Sequence, residues 1–275
     1  MDCAFSGGAD STALLILASA AGLAVTAHHV DHGLRPESGR DADRAVSIAA
    51  QLGIDIEVHT VSVGGGPNME DRARRARAAV LPAGTLTGHT ADDQAETVLL
   101  RLLRGAGTDG LGGIRPGPTH PLLAVRRHDT EQICRDADIE WVHDTSNDDL
   151  SIRRNAVRHR LLPLIAEIAE RDPVPLLIRT AAIARDDAAL LDQVVADHVT
   201  DPTDTRALAA LPQPIAVRAL RAWLTHDGYP PDAAAIERVL DVVHHRRVAC
   251  ELPGGRRVAR SGGFLHIITP DELAN

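Results

Sequence analysis

From Asp2 to about Ile139, short apolar runs alternate with longer stretches of helical periodicity. A chain written this way can return to one sheet only by helical crossovers, so its strands lie parallel and its helices cover both faces. The pattern predicts strands at 2–5, 23–30, 55–61, 85–88 and 139–142, and helices at 11–21, 40–52, 69–81, 91–103 and 126–137. Past Pro163 the texture changes: 173–247 reads as helices punctuated by Pro and Asp. The segment 248–268 reads as a small hairpin or sheet, with Gly254-Gly255 and Gly262-Gly263 at its turns. The expected fold class is therefore α/β, a doubly wound parallel sheet over 1–165, followed over 166–275 by a smaller, mainly helical domain that ends in short strands. The boundary is expected within 163–175. Gly64-Gly65-Gly66-Pro67 is expected to be a flexible loop, and 111–121 is a second Gly/Pro-rich excursion.

Composition narrows the chemistry. The chain has no lysine, so all 29 cations are arginine, against 38 Asp plus Glu. A Walker A loop, a Schiff base and a protein-kinase strand lysine are excluded together. A net charge of -9 argues against indiscriminate binding to nucleic acid, and any polyanion must dock on local arginine clusters. Aromatic content of 2% removes the stacking platforms of single-strand RNA modules. Cys3, Cys134 and Cys250 are odd in number and lie more than a hundred residues apart, so neither a disulfide framework nor a CxxC pair can be read from the sequence. No apolar run is long enough for a membrane span, and the opening MDCAFSGGAD has no basic and then apolar leader. The expectation is a cytoplasmic protein with no membrane partner.

The first strand runs straight into Ser6-Gly7-Gly8-Ala9-Asp10-Ser11 and an apolar helix. Two glycines let the backbone turn tightly and bring N–H groups close to an anion, and the helix start adds unsatisfied donors and a positive dipole. Ser6 and Ser11 can donate hydroxyl hydrogen bonds to a phosphate. Asp10 would be repelled by phosphate unless a divalent cation lay between them, which assigns it to Mg2+. The competing reading is a plain strand-to-helix turn with Asp10 or Ser11 as N-cap. The string resembles the pyrophosphatase loop of N-type ATP pyrophosphatases, the PP-loop superfamily, which implies ATP as substrate.

Three further blocks fall where parallel strands would end, which is where such sheets place ligands. The first is His28-His29-Val30-Asp31-His32-Gly33-Leu34-Arg35-Pro36-Glu37-Ser38. His28 and His29 point to opposite faces of a strand and no Cys joins them, which speaks against a metal site. Asp31 and His32 are expected to line the nucleotide pocket. The second, Gly88-His89-Thr90-Ala91-Asp92-Asp93-Gln94-Ala95-Glu96-Thr97, puts His89, Asp93 and Glu96 at spacings of four and three, on one face at the start of a helix. Simple capping by first-turn acids is the alternative. The third is Asp144-Thr145-Ser146-Asn147 with Arg153-Arg154-Asn155-Ala156-Val157-Arg158-His159-Arg160-Leu161-Leu162-Pro163.

Together these strings resemble the tRNA(Ile)-lysidine synthetase family, densely over 6–163, and Asn68-Met69-Glu70 with the arginines after it is similar to a further family segment. The resemblance implies an adenine nucleotide alpha hydrolase-like sheet. It also implies ligation of lysine to C2 of the wobble cytidine of tRNA(Ile) with anticodon CAU through an adenylated base, ATP going to AMP and pyrophosphate. Asp10, His89, Asp93 and Glu96 are then the catalytic candidates, and Ser6, Gly7, Gly8, Ala9, Asp10, Ser11, Asp31 and His32 the ATP-binding ones. Asp93 and Glu96 are expected to receive free L-lysine. Arg72, Arg75, Arg104, Arg154 and Arg158 are expected to meet ATP phosphates or the tRNA backbone. Arg246-Arg247 and Arg256-Arg257 with Arg260 form the densest basic cluster of the second domain, a candidate hold on the tRNA stem. Only five residues precede Ser6, where the family carries a longer lead: either translation starts here with a stunted first strand, which would weaken the support under the phosphate loop and ATP binding, or the true start lies further upstream. Two readings compete: another PP-loop ATP pyrophosphatase acting on tRNA or a small molecule, and a catalytically silent nucleotide- or tRNA-binding module. Sequence leaves the oligomeric state open, a homodimer included.

Overall fold

The computed structural model describes residues 1–31, 38–62, 69–143, 145–226 and 230–270. β1 (Asp2–Ala4), α1 (Ala9–Ala20), β2 (Thr26–Asp31), α2 (Ser38–Gln51), β3 (Asp55–Thr60) and α3 (Met69–Val80) follow in βα order. β2 pairs in parallel with β1 on one side and with β3 on the other, in a register that aligns Ala4, His28 and Glu57. On the free side of β1, Leu86 forms a parallel bridge to Cys3. There the Ala4 N–H donates to the Leu86 carbonyl, and the Leu86 N–H to that of Asp2, both at 2.8 Å.

The chain thus steps outward from β1 to β3 and returns on the opposite side of β1. This reversal of direction beside β1 is a topological switch point, the place where doubly wound sheets bind ligands at the carboxyl ends of their strands. Two expected strands are shorter than their sequences suggest. The segment 85–88 contributes a single bridge instead of a ladder, and 139–142 forms no strand among the described residues. Its Val142 N–H goes instead to the Gly7 carbonyl at 2.8 Å and braces the loop after β1. β1 is only three residues long, yet it is hydrogen-bonded on both sides. The expected flexible loop at 64–67 lies outside the described residues.

α4 (Ala91–Leu102), α5 (Thr108–Leu111) and α6 (Arg127–Asp136) come next. α7 (Arg153–Ala156) continues through one π-helical turn, Val157–Leu161, into α8 (Leu162–Ala169) and then α9 (Val174–His198). The core beneath the sheet joins Cys3, Phe5 and Ala27 to Leu14 and Leu15 of α1 and to Ala45, Ile48 and Ala49 of α2. Ala91 and Ala95 of α4 pack separately against Val174, with Leu162, Leu177 and Ile178 around them. The Gly-rich excursion after α4 is clamped by α4 itself. Gln94 donates to the Ile114 carbonyl at 3.1 Å and accepts the Ile114 N–H at 2.6 Å, while Arg101 donates to the carbonyls of Gly110 and Gly113, each at 2.8 Å.

The chain divides into two compact units, 1–185 and 186–275, within α9, so the change of texture at 163–175 falls inside the first unit. In the second unit α10 (Thr205–Ala210), α11 (Gln213–Leu224) and α12 (Ala233–Val243) precede the antiparallel sheet β4 (Ala249–Glu251), β5 (Arg257–Ser261) and β6 (Phe264–Ile268). Its core is separate: Leu220, Leu224, Ile236, Val239 and Val243 meet Val258 and Leu265 of the sheet. Gly262 and Gly263 make the expected turn, with φ of 60° and 89° as a two-residue type I′ hairpin requires. No described helix is long and apolar enough to cross a membrane.

Candidate active site

The loop after β1 is held open by its own glycines. Gly7 has φ +82°, and a Cβ there would lie 2.9 Å from Val142 Cγ2, so the position accepts neither a left-handed L-residue nor added bulk. Gly8 caps α1 without a side chain, which leaves the first N–H groups of the helix aimed past the loop. Ser11 turns inward. Its hydroxyl donates to the Gly8 carbonyl at 3.0 Å and accepts the Ser6 N–H at 3.2 Å. Ser11 thus shapes the loop where its proton was expected to meet a phosphate, and Ser6, though exposed, keeps its hydroxyl 3.1 Å from that of Ser11, where it accepts the Gly8 N–H at 3.4 Å. Ala9 opens α1, and Asp31 closes β2 half-buried. His32 lies outside the described residues.

Asp10 is the second residue of α1, and its backbone lies against the segment that follows Leu86. Gly88 is pressed so close that a Cβ on it would lie 2.7 Å from the Asp10 carbonyl oxygen. The Asp10 carboxylate accepts from the Thr130 hydroxyl and from Arg127 Nε at 3.3 Å. Burial pushes its pKa up, and Thr130 and Arg127 only partly counter this.

Helix α4 begins at an N-cap Thr90 whose hydroxyl accepts the Asp93 N–H, while Asp93 Oδ2 accepts the Thr90 N–H at 2.9 Å and its hydroxyl at 3.0 Å. The capping reading of Asp93 therefore holds, but it uses only one carboxylate oxygen. The other, Oδ1, accepts from Arg127 at 3.0 Å and Arg154 at 3.3 Å. Burial works to raise the Asp93 pKa, yet Arg127 and Arg154 hold it below the usual carboxylate range. Glu96, one turn further on, is fully buried. Its Oε1 accepts from Arg127 at 3.1 Å and Arg158 at 2.7 Å, and its Oε2 from Arg154 at 2.7 Å and Arg158 at 3.2 Å. Arg154 and Arg158 are one turn apart on α7 and the π-helical turn, a helix form frequent at functional sites. Asp92 accepts both N–H groups of Arg126 at 3.1 Å and the Arg127 backbone N–H at 2.8 Å, and Arg126 also grips Asp172.

Asp93 and Glu96 converge as their spacing predicts, but His89 does not join them. It precedes the cap instead of lying on the helix face, and its Nδ1 shares the Thr87 hydroxyl with His120 Nδ1, both at 2.7 Å. Burial brings the His89 pKa down to about 4, so the ring is neutral at pH 7. Arg154 and Arg158 are committed to Glu96. Arg72 and Arg75 stand on α3, and Arg104 is exposed just past α4, with no described contact joining Arg104 to this group.

The residues that sequence reasoning missed are Arg126, Arg127, Asp92, Thr130 and Asp172. The signal available was Arg126-Arg127 at a helix start, a place where cations oppose the dipole and so need acids from elsewhere. A cavity of about 220 Å³ opens beside the cluster. Asp92, Glu96, Arg126 and Arg158 form its charged side, and Leu162, Pro163, Ala166 and Val174 its apolar wall. Asp93 does not line it.

Comparison with known proteins bears on this arrangement. Residues 1–165 match the PP-loop domain, and residues 204–266 match the TilS substrate binding domain. The chain is 40% identical over 295 residues to the tRNA(Ile)-lysidine synthase of Solibacter usitatus, covering 96% of this chain and 66% of that protein. It is 38% identical over 239 residues to that of Nocardia farcinica, covering 82% and 75%. Among solved structures, the U34-tRNA thiolase NcsA from Methanococcus maripaludis is similar in fold, with a TM-score of 0.50 at 14% identity over 66% of this chain and 70% of that one.

Proposed function

Because the chain belongs to the tRNA(Ile)-lysidine synthase family, we propose that it joins lysine to C2 of the wobble cytidine in tRNA(Ile) bearing CAU, with ATP converted to AMP and pyrophosphate. The observation that carries this reading is the reach of one guanidinium. Arg127 touches Asp10 in the phosphate-loop helix and Asp93 and Glu96 on α4, at 3.3, 3.0 and 3.1 Å. The loop and α4 are thereby held within the span of one arginine head, so a nucleotide on one and an amino acid by the other can meet across a single base.

In this reading the open start of α1, the loop backbone and the Ser6 hydroxyl receive the phosphates. The cytidine C2 oxygen attacks the α-phosphate and pyrophosphate leaves; the lysine ε-amine then attacks C2, and the oxygen departs with AMP. Asp10 fits a divalent cation. Its carboxylate is buried with too little positive charge beside it, and its bond to Arg127 is the longest of the three that Arg127 makes to these carboxylates. Mg2+ held there would neutralise charge on the departing pyrophosphate. The cavity beside the cluster suits lysine, with its methylene stem on Leu162, Pro163, Ala166 and Val174. Arg158 would then meet its carboxylate. Glu96 is saturated by three arginines and Asp92 by Arg126 and the Arg127 backbone N–H, so the half-exposed Asp172 is the lining carboxylate with capacity left to share the ammonium charge. Neutral His89 orients the Thr87–His120 pair rather than carrying positive charge into the site.

Arg72, Arg75 and Arg104 remain candidates for tRNA phosphates, with 1–165 as the catalytic domain and 166–275 as the part that reads tRNA. Incubating the protein with ATP, Mg2+, labelled lysine and tRNA(Ile) bearing CAU tests the reading. The expected result is one lysine in the wobble nucleotide per AMP released, lost in Asp10→Asn. AMP release with another acceptor, and no lysine in the tRNA, would contradict it.

A further inference from the structure

The sequence argues against a metal on His28-His29 because adjacent strand residues face opposite ways, and the structure agrees about that pair. His29 Nδ1 is spent on the Phe5 carbonyl at 2.9 Å. His28, however, finds partners across the sheet. Its register partner on β3 is Glu57, and His59, two residues on, returns to the same face. His28 Nδ1 lies 3.1 Å from His59 Nε2 and 3.5 Å from Glu57 Oε2, and His59 Nε2 lies 3.8 Å from that same oxygen. Three ligand atoms held about 2.0–2.1 Å from a tetrahedral zinc would stand about 3.3 Å apart, close to these separations.

The tautomer is also set. His28 Nε2 lies 2.9 Å from Asp2 Oδ1, so the ring proton sits on Nε2 and the Nδ1 lone pair points at His59. Two imidazole nitrogens face one another at 3.1 Å either through a hydrogen bond, with the proton on His59 Nε2, or through a metal bound by both. A carboxylate behind a ligating imidazole is the outer-sphere arrangement that orients zinc-bound histidines, and here Asp2 supplies it from a neighbouring strand. His28 is buried, whereas the Glu57 side chain is 61% exposed, so an ion has a way in from solvent.

The geometry points to a zinc-class divalent cation site formed by His28, Glu57 and His59, with Asp2 as the outer-sphere partner, on the sheet face that carries Asp2, His28 and Glu57. Two imidazoles and one carboxylate favour Zn2+ or Co2+ over Mg2+ or Ca2+. The bound ion replaces the shared proton, swings the two rings apart slightly and ties β3 to β2. Through Asp2 it also ties them to β1, the strand beneath the phosphate loop. This site owes nothing to the residues around Arg127, and the inference does not rest on the proposed reaction.

The test is titration of the chelator-treated full chain with Co2+, read by visible absorption, and with Zn2+, read by calorimetry. One ion per chain is expected, with the intense bands of a four- or five-coordinate cobalt centre that Zn2+ displaces. Glu57→Gln, at an exposed side chain, and His59→Gln should each weaken binding at least about 10-fold. Asp2→Asn, which leaves all three ligands in place, should weaken it about 10- to 100-fold. Exposed His128, replaced by Gln, should change nothing. Zn2+ should raise the thermal midpoint of the wild type but not that of Glu57→Gln. Absence of binding would show a proton-shared histidine pair and overturn the proposal. So would binding of equal strength in Glu57→Gln and His59→Gln.

Discussion

Glu96 is where charge matters most to stability. Its carboxylate is fully buried and receives Arg127, Arg154 and Arg158, so Glu96→Gln leaves three guanidiniums to share Asp93, with Asp10 reached by Arg127. Removing one member of a buried ion group costs about 3–5 kcal/mol. Urea unfolding should show a loss of that size, whereas the same change at exposed Glu140 should be nearly silent. Gly88→Ala forces a methyl to within 2.7 Å of the Asp10 carbonyl. Either the loop shifts or the segment after Leu86 does, and nucleotide affinity by calorimetry should fall about 10- to 100-fold, equivalent to ~1.4–2.8 kcal/mol. His89 sets a pH window. The unfolded chain takes up this proton near the ordinary histidine value of about 6.5, the folded chain only near about 4, so between those limits the unfolded state binds more protons. Stability therefore rises with pH across that window and falls on acidification, by ~1–3 kcal/mol. Asp10, pushed up by burial, acts with the opposite sign just above its unfolded value and blunts the low end. The contribution of Asp93, held low by its arginines, is present above the ordinary carboxylate pKa and lost below it. Urea midpoints of wild type and His89→Gln across this range should differ in slope; parallel curves would remove His89 from the account.

At the scale of elements, α4 carries the site because its first turn is fixed twice, by the Thr90–Asp93 capping box and by the Arg127 and Arg154 contacts. Thr90→Ala should cost about 1 kcal/mol from the cap alone. It should also free Asp93 to shift away from Arg127, so the Michaelis constant for lysine should rise more than stability falls. Much of this element was legible in the sequence. The boundaries of α1, α3, α4 and α6 follow from periodicity, and the convergence of Asp93 and Glu96 follows from their spacing. The short parallel contacts were less so, because Leu86 makes a single bridge and 139–142 makes none, and a run of apolar residues cannot say how many ladder bonds it will form. The arginines that answer Glu96 come from α6 and α7, far along the chain. Local patterns record an acid that needs a partner but not which distant cation supplies it. His89 was misplaced for a related reason: counting from it assumes that the helix has begun, whereas Thr90 caps it one residue later.

For the whole molecule, net charge -9 means that tRNA must be met by local positive surface. Arg246 and Arg247 are exposed, at 69% and 58%, and both pair with the single carboxylate of Asp241. Replacing both with Ala should lower the slope of log affinity for tRNA against log salt by about 2, with little change in nucleotide binding. The larger claim is that the phosphate loop and α4 serve one reaction, joined at Arg127. A crystal structure with a non-hydrolysable ATP analogue and lysine tests this most directly. The α-phosphate should lie above the Ser6–Gly8 loop and the lysine amine on the far side of Arg127, near enough for one cytosine ring to touch both. Lysine bound elsewhere, or nucleotide seated away from that loop, would contradict it.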